Sequence, residues 1–321
     1  MQTSLFLQHS GVEYPIICGP MYPCSNPELV AAASEAGALG VIQPIALSYV
    51  HGYPLREGIR YIRQLTQKPL AMNLLIEKSS RHYQNKMREW LEIALQEGIR
   101  FYITSLGKPD WVVERVHQAG GFVYHDVTLP RWAEIAAEHL VDGLIAVNQN
   151  AGGHAGSRQL ARLYEDLQGY QLPLVAAGGI SSAEGFAEAM QLGYQAVQMG
   201  TRFIASRECS ASDTYKQAII AARAEDIQLT RKITGVPVAV IANEYVKRQG
   251  RELNALQQFA LQSRFLKHIS RYLMSLKSLH RFKRSLFATN AEGEYWQAGK
   301  SVESIESVLT VDEIIHSLLG K

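Results

Sequence analysis

LPLVAAGGISSAEGFAEAMQLGYQAVQMGTR, residues 172–202, holds two apolar runs that each end in glycine. The first, Leu172–Gly179, closes on Gly178-Gly179, and the second, Ala196–Thr201, carries Gly200. Continuous apolar runs of this length read as strands buried on both faces of a parallel sheet. Between them Ser181 and Ser182 are N-cap candidates for a helix over Ala183–Gln191. Glycine lets a backbone come close to a ligand, and free N–H groups at a helix start bind phosphate. Two such turns on consecutive strands match the phosphate site that α/β barrels build after strands seven and eight. The bland alternative is a pair of tight turns with no ligand.

That placement requires six strands upstream, and the sequence supplies candidates for them. They are Pro15–Pro20, Leu39–Pro44, Leu70–Leu75, Phe101–Leu106, Phe122–Val127 and Gly143–Asn148. Amphipathic stretches lie between strands, among them Pro27–Ala36, Tyr83–Gln96, Pro109–Gln118 and Pro130–Glu138. Asn26-Pro27 predicts an N-cap followed by proline in the first turn. Asp110 and Glu114 are placed in or near a first turn. Gly37, Gly98, Gly120 and Gly193 are placed as left-handed C-caps. Strict alternation of strand and helix means α/β. The first turn, Gly19-Pro20-Met21-Tyr22-Pro23, is no dinucleotide fingerprint, which argues against an open doubly wound sheet. The expected fold is a (β/α)8 TIM barrel.

After Arg202 the pattern changes. Residues 206–288 read as dominated by helical periodicity and are expected to form a helical lid subdomain inserted before the last barrel helix, with residues 1–205 and 289–321 as the barrel. Leu253–Ala291 contains no acidic residue but carries Arg264, Lys267, Arg271, Lys277, Arg281, Lys283 and Arg284. A run of this kind is either a solvated face or a cationic surface for an acidic partner. Val311–Leu319 reads as the closing helix.

Composition narrows the class. With 321 residues, 47% of them hydrophobic, the chain can bury a barrel core of about 250 residues and is not disordered. A formal charge of +2 gives no general attraction to nucleic acid or anionic membrane, and neither is expected as a partner. Met1–Ser10 lacks the pattern of a secretory signal, and Cys18, Cys24 and Cys209 suggest neither disulfides nor zinc, so a cytoplasmic location is expected. No metal-ligand constellation is legible. The sequence leaves room for a homodimer.

The loop after the sixth strand, Asn148-Gln149-Asn150-Ala151-Gly152-Gly153-His154-Ala155-Gly156-Ser157, sets a histidine among glycines at a strand end. Catalytic groups of barrels lie at such ends, and histidine exchanges protons near neutral pH. A loop histidine can also be merely solvated. Asn73 reads as a strand-end cap as readily as a ligand, Met21 and Met199 as core methionines, and Arg202 as a phosphate contact or a carboxylate partner.

Taken together, Pro15–Pro20 with Met21, Met72-Asn73-Leu74, Ala151–Gly156, Ala176–Ile180 and Gln198–Phe203 resemble the nitronate monooxygenase family, which includes flavin-dependent enoyl-ACP reductases. The likeness covers nearly the whole chain. It implies an FMN-dependent oxidoreductase that oxidises alkyl nitronates, and nitroalkanes with them, using dioxygen. It assigns Asn73 to a flavin hydrogen bond and Pro20 and Met21 to the flavin ring. Gly152 falls beside the cofactor, and Gly178, Gly179, Gln198, Met199, Gly200 and Thr201 at the phosphate cradle. His154 becomes the active-site histidine. Val147 stands where relatives often carry glutamine, with Asn148 or Gln149 as substitutes, and Tyr22-Pro23-Cys24-Ser25 replaces a small-residue turn. The alternative implied function is NAD(P)H-dependent reduction of an enoyl thioester or a quinone. A flavin-binding module without turnover is a third.

Overall fold

The computed structural model describes residues 4–76, 81–233, 235–250, 252–253, 267–290 and 294–320, with backbone alone at 267–273 and 275–276. Eight parallel strands close a barrel. They are β1 (Ile16–Cys18), β2 (Leu39–Ile42), β3 (Leu70–Leu75), β4 (Phe101–Ser105), β5 (Phe122–Val127), β6 (Gly143–Val147), β7 (Leu174–Ala177) and β8 (Ala196–Met199). Closure is made by β8 against β1, with Ile17 opposite Gln198. Several strands are shorter than their apolar runs because the chain turns into a loop at the C-terminal end. Gly178 and Gly179, for instance, leave the strand at φ of 112° and 79°.

Helix boundaries follow local chemistry. Gly37, Gly98, Gly120 and Gly193 all take the left-handed conformation expected of C-caps. Ser182 accepts the N–H of Gly185 and caps Ala183–Leu192. Asn26 precedes Pro27 as expected, but its side chain does not cap the helix. Its amide instead donates to Glu28 and to the Glu208 carbonyl (2.9 Å), and its carbonyl accepts from Ser210 N–H, so it pins the inserted region to the barrel. Asp110 opens its helix, whereas Glu114 lies beyond the first turn.

Alternate residues of each strand face inward. Ala71, Ile103, Tyr124, Ile145 and Ala196 belong to one interior cluster, closed at the N-terminal end by Phe6 of the helix Leu5–Ser10. By the same parity Asn73, Ser105, Asp126, Val147 and Gln198 form the next layer, at the C-terminal mouth. The opposite faces pack against the surrounding helices in a larger cluster.

The stretch 206–288 departs from the helical expectation. Besides the helices Asp213–Ala221, Glu244–Gln249 and Lys267–Leu286 it holds an antiparallel pair, β9 (Ile227–Thr230) and β10 (Val238–Ile241). Short β-branched runs favour strand once they have a surface to pack on, and Val238 and Val240 find one against Phe282 and Tyr295. The final helix, Val311–Leu318, packs on Pro27–Glu35 and Ala183–Leu192 and completes the outer ring. Among the described residues no helix is long and apolar enough to cross a membrane.

Candidate active site

The loops after β6, β7 and β8 meet at the C-terminal mouth, and their glycines are what allow it. A Cβ on Gly178 would lie 2.6 Å from the Ala151 nitrogen, and one on Gly179 would lie 2.9 Å from the Asn150 Cβ. Buried Asn148 fastens the junction, donating to the Gly178 carbonyl (2.8 Å) and accepting from Asn150 N–H (2.7 Å). Both ends of its amide are thereby engaged, so Asn148 is not free to replace a missing glutamine contact at Val147. Gly200 is different. Its φ of −115° suits any residue, and a Cβ there would meet only the Met21 side chain, at 3.3 Å from Sδ. A side chain at Gly200 would therefore press on Met21, the residue that follows β1 at the mouth.

Three expected positions do something other than face the mouth. Met199 points outward and is buried in the barrel–helix cluster, so only its backbone lies at the strand end, where its carbonyl accepts from Gly19 N–H (2.9 Å). Thr201 is buried and its Oγ1 accepts from Gly299 N–H (2.9 Å). Among the described residues Arg202 pairs with no carboxylate. Its guanidinium donates to the carbonyls of Ala205 and Ser307, both at 2.7 Å, and burial pushes its pKa down to about 10.

A segment that sequence reasoning missed completes the site. Trp296–Ser301 runs across the glycine loops from more than a hundred residues away. Lys300 N–H donates to the Asn150 carbonyl (2.9 Å), and Ser181 Oγ donates to the Ser301 carbonyl (2.6 Å). Gly299 passes so close to Gly152 that a Cβ on it would lie 2.6 Å from the Gly152 nitrogen. The hairpin braces both sides: Ala239 N–H donates to the Gly153 carbonyl (2.8 Å), and Ile241 N–H to the Trp296 carbonyl (2.9 Å). The loop carrying His154 is thus held from within by Asn148 and from outside by β10. A lone glycine three residues after Trp296, at Gly299, was the only local signal.

His154 is accessible to solvent, yet enough protein surrounds its imidazole for desolvation to lower its pKa. Desolvation thereby favours the neutral form of the imidazole. In the layer beneath, Asn73 is buried and donates to the Ile103 carbonyl (3.1 Å). Two acceptors in that layer have no hydrogen-bond partner among the described residues although they are buried: Gln198 Oε1 and Asp126 Oδ1. Burial raises the Asp126 carboxyl to about 7. No cluster of metal-ligating side chains occurs among the described residues.

The family model for nitronate monooxygenase matches residues 3–321. The chain belongs to the nitronate monooxygenase family. As a member it is an FMN-dependent oxidoreductase. Among relatives, a probable nitronate monooxygenase of Staphylococcus saprophyticus is 29% identical over 78% of this chain and 82% of its own length. The structure of FabK from Thermotoga maritima superposes with a TM-score of 0.81 at 26% identity, covering 98% of this chain and 94% of that one. A nitroalkane oxidase of Streptomyces ansochromogenes has a TM-score of 0.77 over 99% and 97% of the two chains, at an identity of 23% that speaks for the fold alone. The residues present fit FMN. The mouth offers glycine loops that approach backbone to backbone at Gly178 and Gly179, where a Cβ would collide, and a buried amide oxygen on Gln198 without a donor among the described residues.

Proposed function

We propose that this nitronate monooxygenase family member oxidises alkyl nitronates with dioxygen to a carbonyl compound and nitrite. The observation that carries the reading is His154: an accessible imidazole, kept neutral by burial, on a loop fixed at the barrel mouth. Backbone groups of Gly178, Gly179, Gly200 and Thr201 would hold the FMN phosphate. Pro20, Met21, Asn73 and Gly152 would surround the ring, and Gln198, assigned to the phosphate cradle by the family resemblance, would meet the ring instead because strand parity turns it into the barrel. Bound there, FMN supplies the electron transfer from nitronate and onward to dioxygen, chemistry that no side chain provides.

The chain's own part is binding, orientation and proton handling. A nitronate is already an anion, so an N–H of His154 needs only to donate to its oxygens. A neutral nitroalkane must first lose a proton from carbon, and the neutral imidazole is the base that takes it. The helix Lys267–Leu286 covers the β1 loop, with Tyr22 donating its hydroxyl proton to the Leu279 carbonyl (2.7 Å) and Gln297 donating to the Tyr22 carbonyl. In this reading that cover would hold Tyr22 on the substrate side of the mouth.

The likeness to FabK supports a second reading, NAD(P)H-dependent reduction of an enoyl thioester or a quinone. The basic helix adds little to it. Arg281 lies over the Tyr295 ring (5.5 Å), Lys283 donates to the Tyr49 carbonyl (2.7 Å), and Arg284 pairs with Glu294 (2.8 Å). Arg264 lies outside the described residues, as do the side chains of Lys267 and Arg271. Anaerobic mixing separates the readings. Ethylnitronate or propionate 3-nitronate should bleach the flavin faster than NADH or NADPH. Rapid bleaching by NADH with no response to a nitronate would reverse the assignment, and no bleaching by any of them would favour a flavin-binding module without turnover.

A further inference from the structure

Asp126 is the ionisable group that the reaction outlined above leaves unused. Strand parity places it inside the barrel. Tyr124, two residues earlier, stacks edge-on against Phe6 in the interior, whereas His125 turns outward to share a hydrogen bond with Thr104 (2.8 Å) and Val127 packs among the helices. Asp126 therefore stands in the uppermost interior layer, at the C-terminal end of β5, in the same layer as Asn73 and Gln198. Its Oδ1 is buried without a partner among the described residues, as is Gln198 Oε1. Folded proteins rarely leave such acceptors bare, and exceptions collect where a ligand or a proton will satisfy them.

We propose that Asp126 is a redox-coupled proton acceptor, binding a proton from solvent when the flavin gains an electron and releasing it when dioxygen removes that electron. The proposal rests on the FMN reading of the barrel mouth. A carboxylate facing an electron-rich ring inside a low-dielectric barrel is repelled by it, and like charge raises a carboxyl pKa. Burial has already brought this carboxyl to about 7, so a modest further push converts it to the neutral acid. The neutral acid then donates a hydrogen bond where the carboxylate could only accept. The balance is one electron from nitronate to flavin with one proton from solvent to Asp126, then the electron to dioxygen and the proton back to solvent.

The groups facing Asp126 leave it free to respond. Tyr124 below it on β5 is kept protonated by burial. Ser105 comes from β4, Asn73 from β3, Val147 from β6 and Gln198 from β8, and none of them ionises. His154, on the loop after β6, is held neutral by desolvation. Lys108, after β4, is exposed. Glu77 and Lys78, after β3, lie outside the described residues. Desolvation is the sole cause of the Asp126 shift, with no charged neighbour contributing among the described residues.

The test is the reduction potential of bound FMN in wild type and in Asp126→Asn, measured spectroelectrochemically across neutral pH. Protonations of the flavin itself largely cancel in the difference between the two proteins. At low pH, where the acid is neutral, the potentials should agree. As pH rises through the Asp126 titration, Asp126→Asn should become progressively more positive, by up to about 59 mV for each tenfold fall in proton concentration. Asp126→Glu should keep a pH-dependent potential. A difference that is zero or flat with pH overturns the proposal. If Asp126→Asn does not retain FMN, proton uptake on photoreduction of the wild type in weak buffer with an indicator dye decides. More protons per electron than free FMN takes up at the same pH supports the proposal, and an equal number overturns it. A wild type that binds no FMN would instead remove the cofactor reading, and the proposal with it.

Discussion

Gly200→Ala separates the flavin site from the fold. Gly200 lies at φ −115°, ψ −67°, where alanine is at ease, and the added Cβ would touch only the movable end of Met21, at 3.3 Å from Sδ and 3.5 Å from Cγ. Gly200 is also the N-cap of the short helix Thr201–Ile204, where alanine is worse than glycine by about 0.5–1 kcal/mol. Against that, alanine restricts the unfolded chain and returns about 0.4–1 kcal/mol. The two nearly cancel, so the melting temperature of the FMN-free protein should move by only a few degrees. The flavin should respond differently. The Cβ presses on Met21, proposed to lie against the flavin beside the phosphate turn, and an overpacked contact there costs about 1–3 kcal/mol, which weakens FMN binding roughly 5- to 150-fold. Titration with FMN, followed by quenching of its fluorescence, measures the affinity. Thermal unfolding without FMN measures the fold. Gly299→Ala is the counterpart, because its Cβ would lie 2.6 Å from the Gly152 nitrogen and 2.7 Å from the Asn150 carbonyl oxygen, both backbone atoms that cannot swing away. It should lose stability and FMN together. Wild-type FMN affinity in Gly200→Ala would refute the placement of the phosphate at the β8 turn.

His154→Asn should lose oxidation of neutral nitroalkanes by about a hundredfold to ten-thousandfold while nitronate oxidation falls far less and FMN content stays near normal; equal losses in both activities would remove the base role. Because desolvation lowers the His154 pKa, the neutral imidazole persists until the pH falls below its ordinary value of 6.5. The kcat/KM of the wild type for a nitroalkane should therefore fall on the acid side of that value, and a limb centred above it would point to another group. Arg284→Ala should lower the melting temperature by about 2 °C, since the exposed arginine contributes about 1 kcal/mol but leaves buried Glu294 without this partner. The KM for NADH or NADPH should not change, and a marked rise would restore the basic helix as a donor site.

The sequence by itself determined the barrel, because its signals are local. Apolar runs such as Leu174–Ala177, a capping Ser182, and glycines such as Gly37 and Gly193 at helix ends each act within one or two turns of chain. The positions of the glycine loops and His154 were legible for the same reason. The hairpin of β9 and β10 was not, since four-residue runs become strands only against a partner surface, here Phe282 and Tyr295. Nor was the crossing of Gly299 over Gly152, which joins residues far apart in the chain through close backbone approach alone. Asp126 reads in the sequence as one polar residue in a strand. Closure of eight strands puts it half-buried inside the mouth and leaves its Oδ1 without a hydrogen bond among the described residues. Arg202 and Met199 carry the same lesson in reverse, because strand parity and the carbonyls of Ala205 and Ser307 turn their side chains away from the mouth that their neighbours line. Desolvation and long-range backbone contact depend on what surrounds a residue, and the surroundings exist only once the chain has closed on itself.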